Sequence, residues 1–394
     1  MNTYTEAARD IPVAGEYDVI VAGSGPAGVS AAVMAGRLGA KVLLIEWANS
    51  VGGISTSGLM SHWTGTVTSP LYTEILTRMA EKNEGEDKGK IVPQINPENL
   101  KAVYLEMLAD AGVKILLYTF ACGVIMDNNR VAGIITESKS GRRAFLGKVF
   151  VDGTGDGDVA AFAGAEYTMG RESDGKMQPC TLMFKVAGVD MSRAVLLGSF
   201  ESTYQTEKGE LQALAKEHIP YPAGHLLVYK STLPGIVTCN MTNCTDIDGT
   251  SAEDLTRAEL VCRSQMPAIV KYLREFVPGF ENCYIISAAS LMGVRETRHF
   301  KGLYTLCEDD ILTARQFDDW VVRGAHFNFD VHNLTGAGLD KTGVQHKWKQ
   351  PNGYTIPYGC LIPERVDGLI LSGRNISGTH IAHSNYRVMP ICAG

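Results

Sequence analysis

The sequence predicts an α/β fold in two parts, on three observations. Residues 17–46 read as strand, glycine turn, helix and second strand, and residues 368–378 return to the same strand-plus-glycine texture. Between them, residues 166–339 have mixed character and carry a long amphipathic helix candidate over 251–276. Segments 15–165 and 340–394 are therefore assigned to one discontinuous domain, and 166–339 to an inserted α+β domain. A chain of 394 residues, 45% of them hydrophobic, also exceeds the size at which single cores stop growing.

Each element follows from local pattern. Residues 17–22 (YDVIVA) form a β-rich run ending at glycine, the signature of a buried strand. Small residues over 26–38 make a helix, and 41–46 (KVLLIE) make a second strand that ends on an acid. From 52 to 93 the pattern dissolves into Gly, Ser and Thr, and the charged tract 81–90 reads as solvated surface. Asn96, Pro97 and Glu98 supply a cap, a first-turn proline and an early acid for a helix that stops at Gly112. Three β-like runs follow, 113–118, 122–126 and 130–138, and the DNN turn makes the last two a hairpin. Residues 149–152 form a strand that runs into the turn DGTGDGD and the helix candidate VAAFAGA.

The first turn carries chemistry. Gly23, Ser24, Gly25, Pro26, Ala27 and Gly28 satisfy GxGxxG directly between a strand and a helix. Gly23 permits the turn, Gly25 lets the backbone approach a pyrophosphate, and Gly28 lets the helix pack on the strand. The helix N-terminus offers free N–H groups to phosphate oxygens. Glu46, about 20 residues on, is positioned to accept hydrogen bonds from a ribose. NAD and FAD sites share these features, and three further segments decide between them. They are the Gly52–Gly53 pair after Glu46, the turn holding Gly153, Gly155 and Asp156, and the strand 369–371 that delivers Gly373.

These segments match, in order and spacing, those of the glutathione-reductase-type flavoproteins, and the chain most resembles the family of FAD-dependent oxidoreductases. Residues 290–312 (SLMGVRETRHFKGLYTLCEDDIL) resemble that family's arginine motif, and 369–394 its C-terminal motif. The resemblance implies a Rossmann-like FAD-binding domain of glutathione-reductase type, FAD as cofactor, and Val124 in the cofactor wall. It also implies a small-residue helix after RVMPICAG, so the chain is expected to be truncated at Gly394.

Candidate catalytic residues lie in the two motifs. Arg295 and Arg298 can clamp a substrate carboxylate or face flavin O2, or else pair internally with Glu296 or another acid; the resemblance favours the functional reading. His380 matches the family's histidine and is assigned the substrate proton, with Arg387 next in line. Around it, His383, Ser384 and Asn385 fall where relatives carry other residues. His62 is read as a pocket wall. His326, Asp330 and His332 match no common metal spacing and read as surface or pocket polarity. Asp152 and Asp156 lack the distal glutamate of a calcium loop. No metal is expected.

Composition narrows the partners. A net charge of −7 gives no general attraction for nucleic acid or anionic lipid. Residues 1–16 have no secretory apolar core, and the most apolar run, 19–45, is broken by Gly, Pro26, Arg37 and Lys41, so a cytoplasmic protein without a membrane span is expected. Nine scattered cysteines never fall as CxxC, which speaks against disulfide reduction. The leading expectation is hydride transfer between FAD and a small anionic or polyhydroxylated substrate, with an unknown electron partner. The alternatives are a fumarate-reductase-like C=C reductase or dehydrogenase, a flavin-binding RNA-modification protein, and a catalytically dead fragment.

Overall fold

Uncharged apolar residues from Val19 to Ala22 commit the first strand to the interior of a sheet. In the computed structural model, which describes residues 3–340 and 353–394, β1 (Val13–Ala22) lies between β2 (Val42–Ile45) and β6 (Arg143–Asp152) and runs parallel to both. The sheet continues from β2 to β3 (Lys114–Leu116), and on the other side from β6 to β5 (Arg130–Ser138) and β4 (Thr119–Asp127), an antiparallel meander. Late in the chain, strand Leu369–Leu371 returns to the same edge of β6, pairing in parallel with residues 150–152 beyond the end of β5. The result is a mixed α/β sheet.

Strand alternation gives the sheet two apolar faces. Val21 and Leu44 pack with α1 (Pro26–Arg37), α2 (Pro70–Lys82) and α3 (Pro97–Asp110) through Val29, Val33, Ile75, Leu100 and Met107. Ile20, Leu43 and Phe150 face the opposite side, where Phe300, Leu306, Ile311 and Phe329 cover them. Asn96 caps α3 as its sequence predicts, accepting from the Glu98 N–H at 3.0 Å. Helix α2 falls where the sequence pattern dissolves: Ser69 accepts from the Tyr72 N–H and Pro70 occupies the first turn.

A second core spans residues 180–289. Its four-stranded antiparallel sheet has the order Val228–Lys230, Val237–Cys239, Phe184–Ala187, Tyr284–Ala288. Helix Ala252–Phe276 packs on it, at the place of the amphipathic candidate, and is capped by Ser251. Residues 300–329 join the first core instead, so this second core is shorter than the 166–339 segment read from sequence. Strand Trp320–Ala325 also pairs with Tyr354–Pro357. Among the described residues no helix is long and apolar enough to cross a membrane.

Candidate active site

The turn between β1 and α1 is shaped by what its glycines touch. Gly23 has φ +89°, and a Cβ there would run into the Gly153 carbonyl; a Cβ on Gly28 would run into the Gly23 carbonyl oxygen. Both glycines therefore hold the turn together. Gly25 is different, because a Cβ on it would meet no atom within 4 Å. It is the N-cap of α1 and brings no capping side chain, so the helix terminus faces open space.

That space is one end of a cavity of about 1030 Å³. Gly23, Ser24, Gly25, Pro26, Ala27, Glu46, Gly53, Gly153, Gly155, Asp156 and Gly373, all assigned to the cofactor from sequence, line it. Three residues assigned to the cofactor do not. Gly28 is spent on helix packing, Gly52 has φ +104° with its open face against the Thr56 side chain, and Val124 packs against the first core. On β4 the lining residues are Thr119, Phe120 and Ala121, because the strand enters the site at its start rather than its middle.

Three acids are already engaged. Glu46 Oε2 accepts from the Ser24 N–H at 2.8 Å and the Ser24 hydroxyl at 2.6 Å, while Oε1 accepts from the Ala48 N–H at 2.8 Å. Glu46 thus braces the glycine turn and keeps one lone pair of Oε1 for a ligand. Asp156 Oδ1 accepts from Arg374 Nη2 at 2.6 Å and Thr297 Oγ1 at 2.7 Å, tying together the 153–158 turn, the arginine motif and the 373–375 turn. Asp152, wholly buried at the end of β6, accepts from the Thr154 and Ala160 N–H groups, and burial pushes its carboxyl up to about 6.

The far end of the cavity is polar. Tyr229, Asn240, Arg295, Asp330, His332 and Arg387 line it, with His62 stacked flat on Tyr229 at 4.7 Å between ring centroids. His62 is thus a wall residue. His332 Nε2 lies 3.2 Å from Asp330 Oδ2, and its backbone N–H donates to Gln178. Arg387 Nη2 donates to the same Asp330 oxygen at 3.2 Å and to the Asp330 carbonyl at 3.1 Å, whereas its buried Nε has no partner. Arg295 Nη1 donates to the Pro179 carbonyl. Burial and the nearby Arg387 bring the Arg295 guanidinium down to about 10. Burial, with Arg295 adding to it, brings His332 down to about 4, so the ring is neutral at pH 7. Burial opposes ionisation of Asp330, but the His332 and arginine partners outweigh it and hold the carboxyl below the usual range. Two guanidinium groups thus face one carboxylate.

His380 is not part of this wall. It opens helix His380–Tyr386 behind the Thr379 cap, is 1% exposed, and turns Nδ1 to Glu296 Oε1 at 2.6 Å. The ring does not line the cavity, and its buried Nε2 has no hydrogen-bond partner. Arg298 is likewise drawn away, to Asp158 at 2.8 Å and the Asp156 carbonyl at 2.9 Å, the internal pairing of the sequence alternatives. Asp330 and His332, read from sequence only as surface or pocket polarity, both line this cavity, and Asp330 joins His332 to Arg387.

Comparison with known proteins bears on this cavity. The profile of the family described as FAD dependent oxidoreductase matches residues 18–394. Digeranylgeranylglycerophospholipid reductase 1 of Methanococcoides burtonii is 25% identical over 199 residues, 45% of this chain and 47% of that protein. Thiamine thiazole synthase of Sulfolobus acidocaldarius is 33% identical over 159 residues, 38% of this chain and 59% of that one. The chain therefore spans about half the length of the curated relatives it matches. A geranylgeranyl bacteriochlorophyll reductase-like structure from Thermoplasma acidophilum superposes with a TM-score of 0.49 at 15% identity, covering 96% of this chain and 74% of that one.

Proposed function

The chain belongs to the FAD dependent oxidoreductase family, and on that premise we propose that it transfers a hydride between FAD and a small organic anion bound beside His332. The observation that carries this reading is the sharing of one cavity by the glycine turns and the Asp330–His332–Arg387–Arg295 group. The residues fit the cofactor: Gly25 opens into the cavity without a Cβ in the way, and Glu46 keeps a lone pair for a ribose hydroxyl. Gly23 to Ala27, Gly153, Gly155 and Gly373 would hold the pyrophosphate region. FAD, when bound, supplies a two-electron centre. The glutathione-reductase-type arrangement belongs to the same proposal, supported by the β1–α1–β2 unit, the β4–β5–β6 meander and the late strand returning to β6.

The protein's own part is binding and proton handling. Arg295 and Arg387 orient the anion, one of their charges being balanced by Asp330. Asp330 accepts the His332 Nε2 proton, which leaves Nδ1 as a lone pair to take a hydroxyl proton as the adjacent carbon becomes a carbonyl. A second reading, reduction of an activated C=C bond, is favoured by one observation: the lowered Arg295 guanidinium is a better proton donor than an exposed arginine. Anaerobic mixing separates the two. Bleaching of the oxidised flavin by hydroxy acids is expected; reoxidation of the reduced flavin by unsaturated carboxylates, with no bleaching by hydroxy acids, would replace the first reading by the second.

A further inference from the structure

Behind the cavity wall lies a buried group that the proposed chemistry does not use. The segment Glu296-Thr297-Arg298-His299 enters strand Arg298–Phe300, and helix His380–Tyr386 carries His380 and His383 one turn apart. Glu296, His299 and His383 are 1%, 7% and 1% exposed, and one ligand atom from each lies within 4.8 Å of those of the other two. None of them lines the cavity.

We infer that Glu296, His299 and His383 form a structural site for a divalent first-row transition metal, of the zinc or ferrous iron kind.

Two features of the protonation geometry lead there. His299 Nδ1 lies 3.1 Å from the Gly378 carbonyl oxygen, which can only accept, so Nδ1 carries the hydrogen. The ring's Nε2 lies 2.8 Å from Glu296 Oε1, so a ring nitrogen and a carboxylate oxygen converge within reach of one ion. His383 Nδ1, meanwhile, is fully buried without a hydrogen-bond partner, an arrangement that is costly when nothing occupies it. One metal ion would use both.

The surroundings are those that metal ligands need. The His299 Nδ1–H to carbonyl contact fixes the tautomer that leaves Nε2 free to ligate. Glu296 is held in place by His380 Nδ1 on Oε1 at 2.6 Å and by the Gln178 N–H on Oε2 at 2.9 Å. His380 is thereby a positioning residue. Two imidazoles and one carboxylate suit zinc or ferrous iron better than magnesium or calcium, which prefer all-oxygen sets. An ion here would staple the arginine motif to the C-terminal helix, between Arg295 and Arg387.

The test uses the full chain with its flavin. Elemental analysis of the purified protein should find close to one equivalent of zinc or iron, and chelator-treated protein should rebind Zn²⁺ with a rise in melting temperature. His299→Ala and His383→Ala should each lose the metal while keeping flavin, and His380→Ala should bind Zn²⁺ roughly 10–100-fold more weakly. Should a ligand variant fail to fold, the wild-type measurements still decide. No metal in the purified protein together with no Zn²⁺ or Fe²⁺ uptake after chelation overturns the site, as does an unchanged metal content in folded His299→Ala and His383→Ala.

Discussion

His332 keeps its proton on a fixed side, since Nε2 points at Asp330 Oδ2 and the ring is neutral. With its pKa held near 4, the free protein should show a reduction rate over substrate Kd that is flat from about pH 6 to 9 with respect to this group and falls only toward pH 4. A fall centred near 6.5 in stopped-flow flavin bleaching would mean an ordinary, solvated histidine. His332→Ala should slow bleaching by ~10²–10⁴-fold with flavin content unchanged, the usual loss for a positioned base. His380→Ala should leave the bleaching rate within a few-fold of wild type, because its ring faces Glu296. Equal losses in the two variants would argue against His332 as the base. For Arg295→Lys the charge remains and the planar fork is lost, so the substrate Kd should rise more than the bleaching rate at saturation falls.

At the scale of elements, the β1–α1 turn separates two glycine roles that share one motif. Gly28→Ala drives a Cβ into the Gly23 carbonyl oxygen and should lower stability by roughly 1–3 kcal/mol or more, seen in a denaturant melt. Gly25→Val adds atoms only to open space and should melt like the apoprotein. Helix α2 depends on its cap, so Ser69→Ala should cost about 1 kcal/mol. Two helices were legible in the sequence: α3 by its Asn96-Pro97 start and helix Ala252–Phe276 by its amphipathic pattern. Ser69-Pro70 carries the same signal for α2 and was hidden by the glycine-rich text before it, although Leu71, Ile75 and Met79 recur every four residues and are all buried. The glycine turns were legible because their positions are fixed by backbone contact. The contacts of His380, Asp330 and His332 were not: a motif or a polar residue type gives a position in the chain, whereas the pairing of His380 with Glu296 and of Asp330 with His332 and Arg387 is made by the fold.

Across the whole molecule the cavity is lined by residues of both the mixed sheet and the second sheet, where Tyr229 sits, and Phe200 lies between His225 and His332 with ring centroids 4.9 and 5.3 Å away. Burial holds His225, like His332, down to about 4. Both folded values lie below the ordinary value of 6.5, so the folded state binds fewer protons than the unfolded one. Their contribution is fully present above pH 6.5 and is lost as pH falls toward 4, on the order of 3 kcal/mol for each. Melting temperature should therefore drop over that interval, less steeply in His225→Gln; an equally steep drop in that variant would show that His225 is protonated in the folded protein. Bound FAD should offset part of the loss by mass action, adding ~2.7 kcal/mol at a hundredfold excess over Kd. All of this rests on the glycine turn and the substrate group sharing one cofactor-filled cavity. The most direct test is the 450 nm absorbance per protein of purified wild type and Gly25→Val, read beside their far-UV spectra. The predicted result is stoichiometric FAD in the wild type and none in a folded Gly25→Val; FAD retained at wild-type level in the variant would place the cofactor elsewhere.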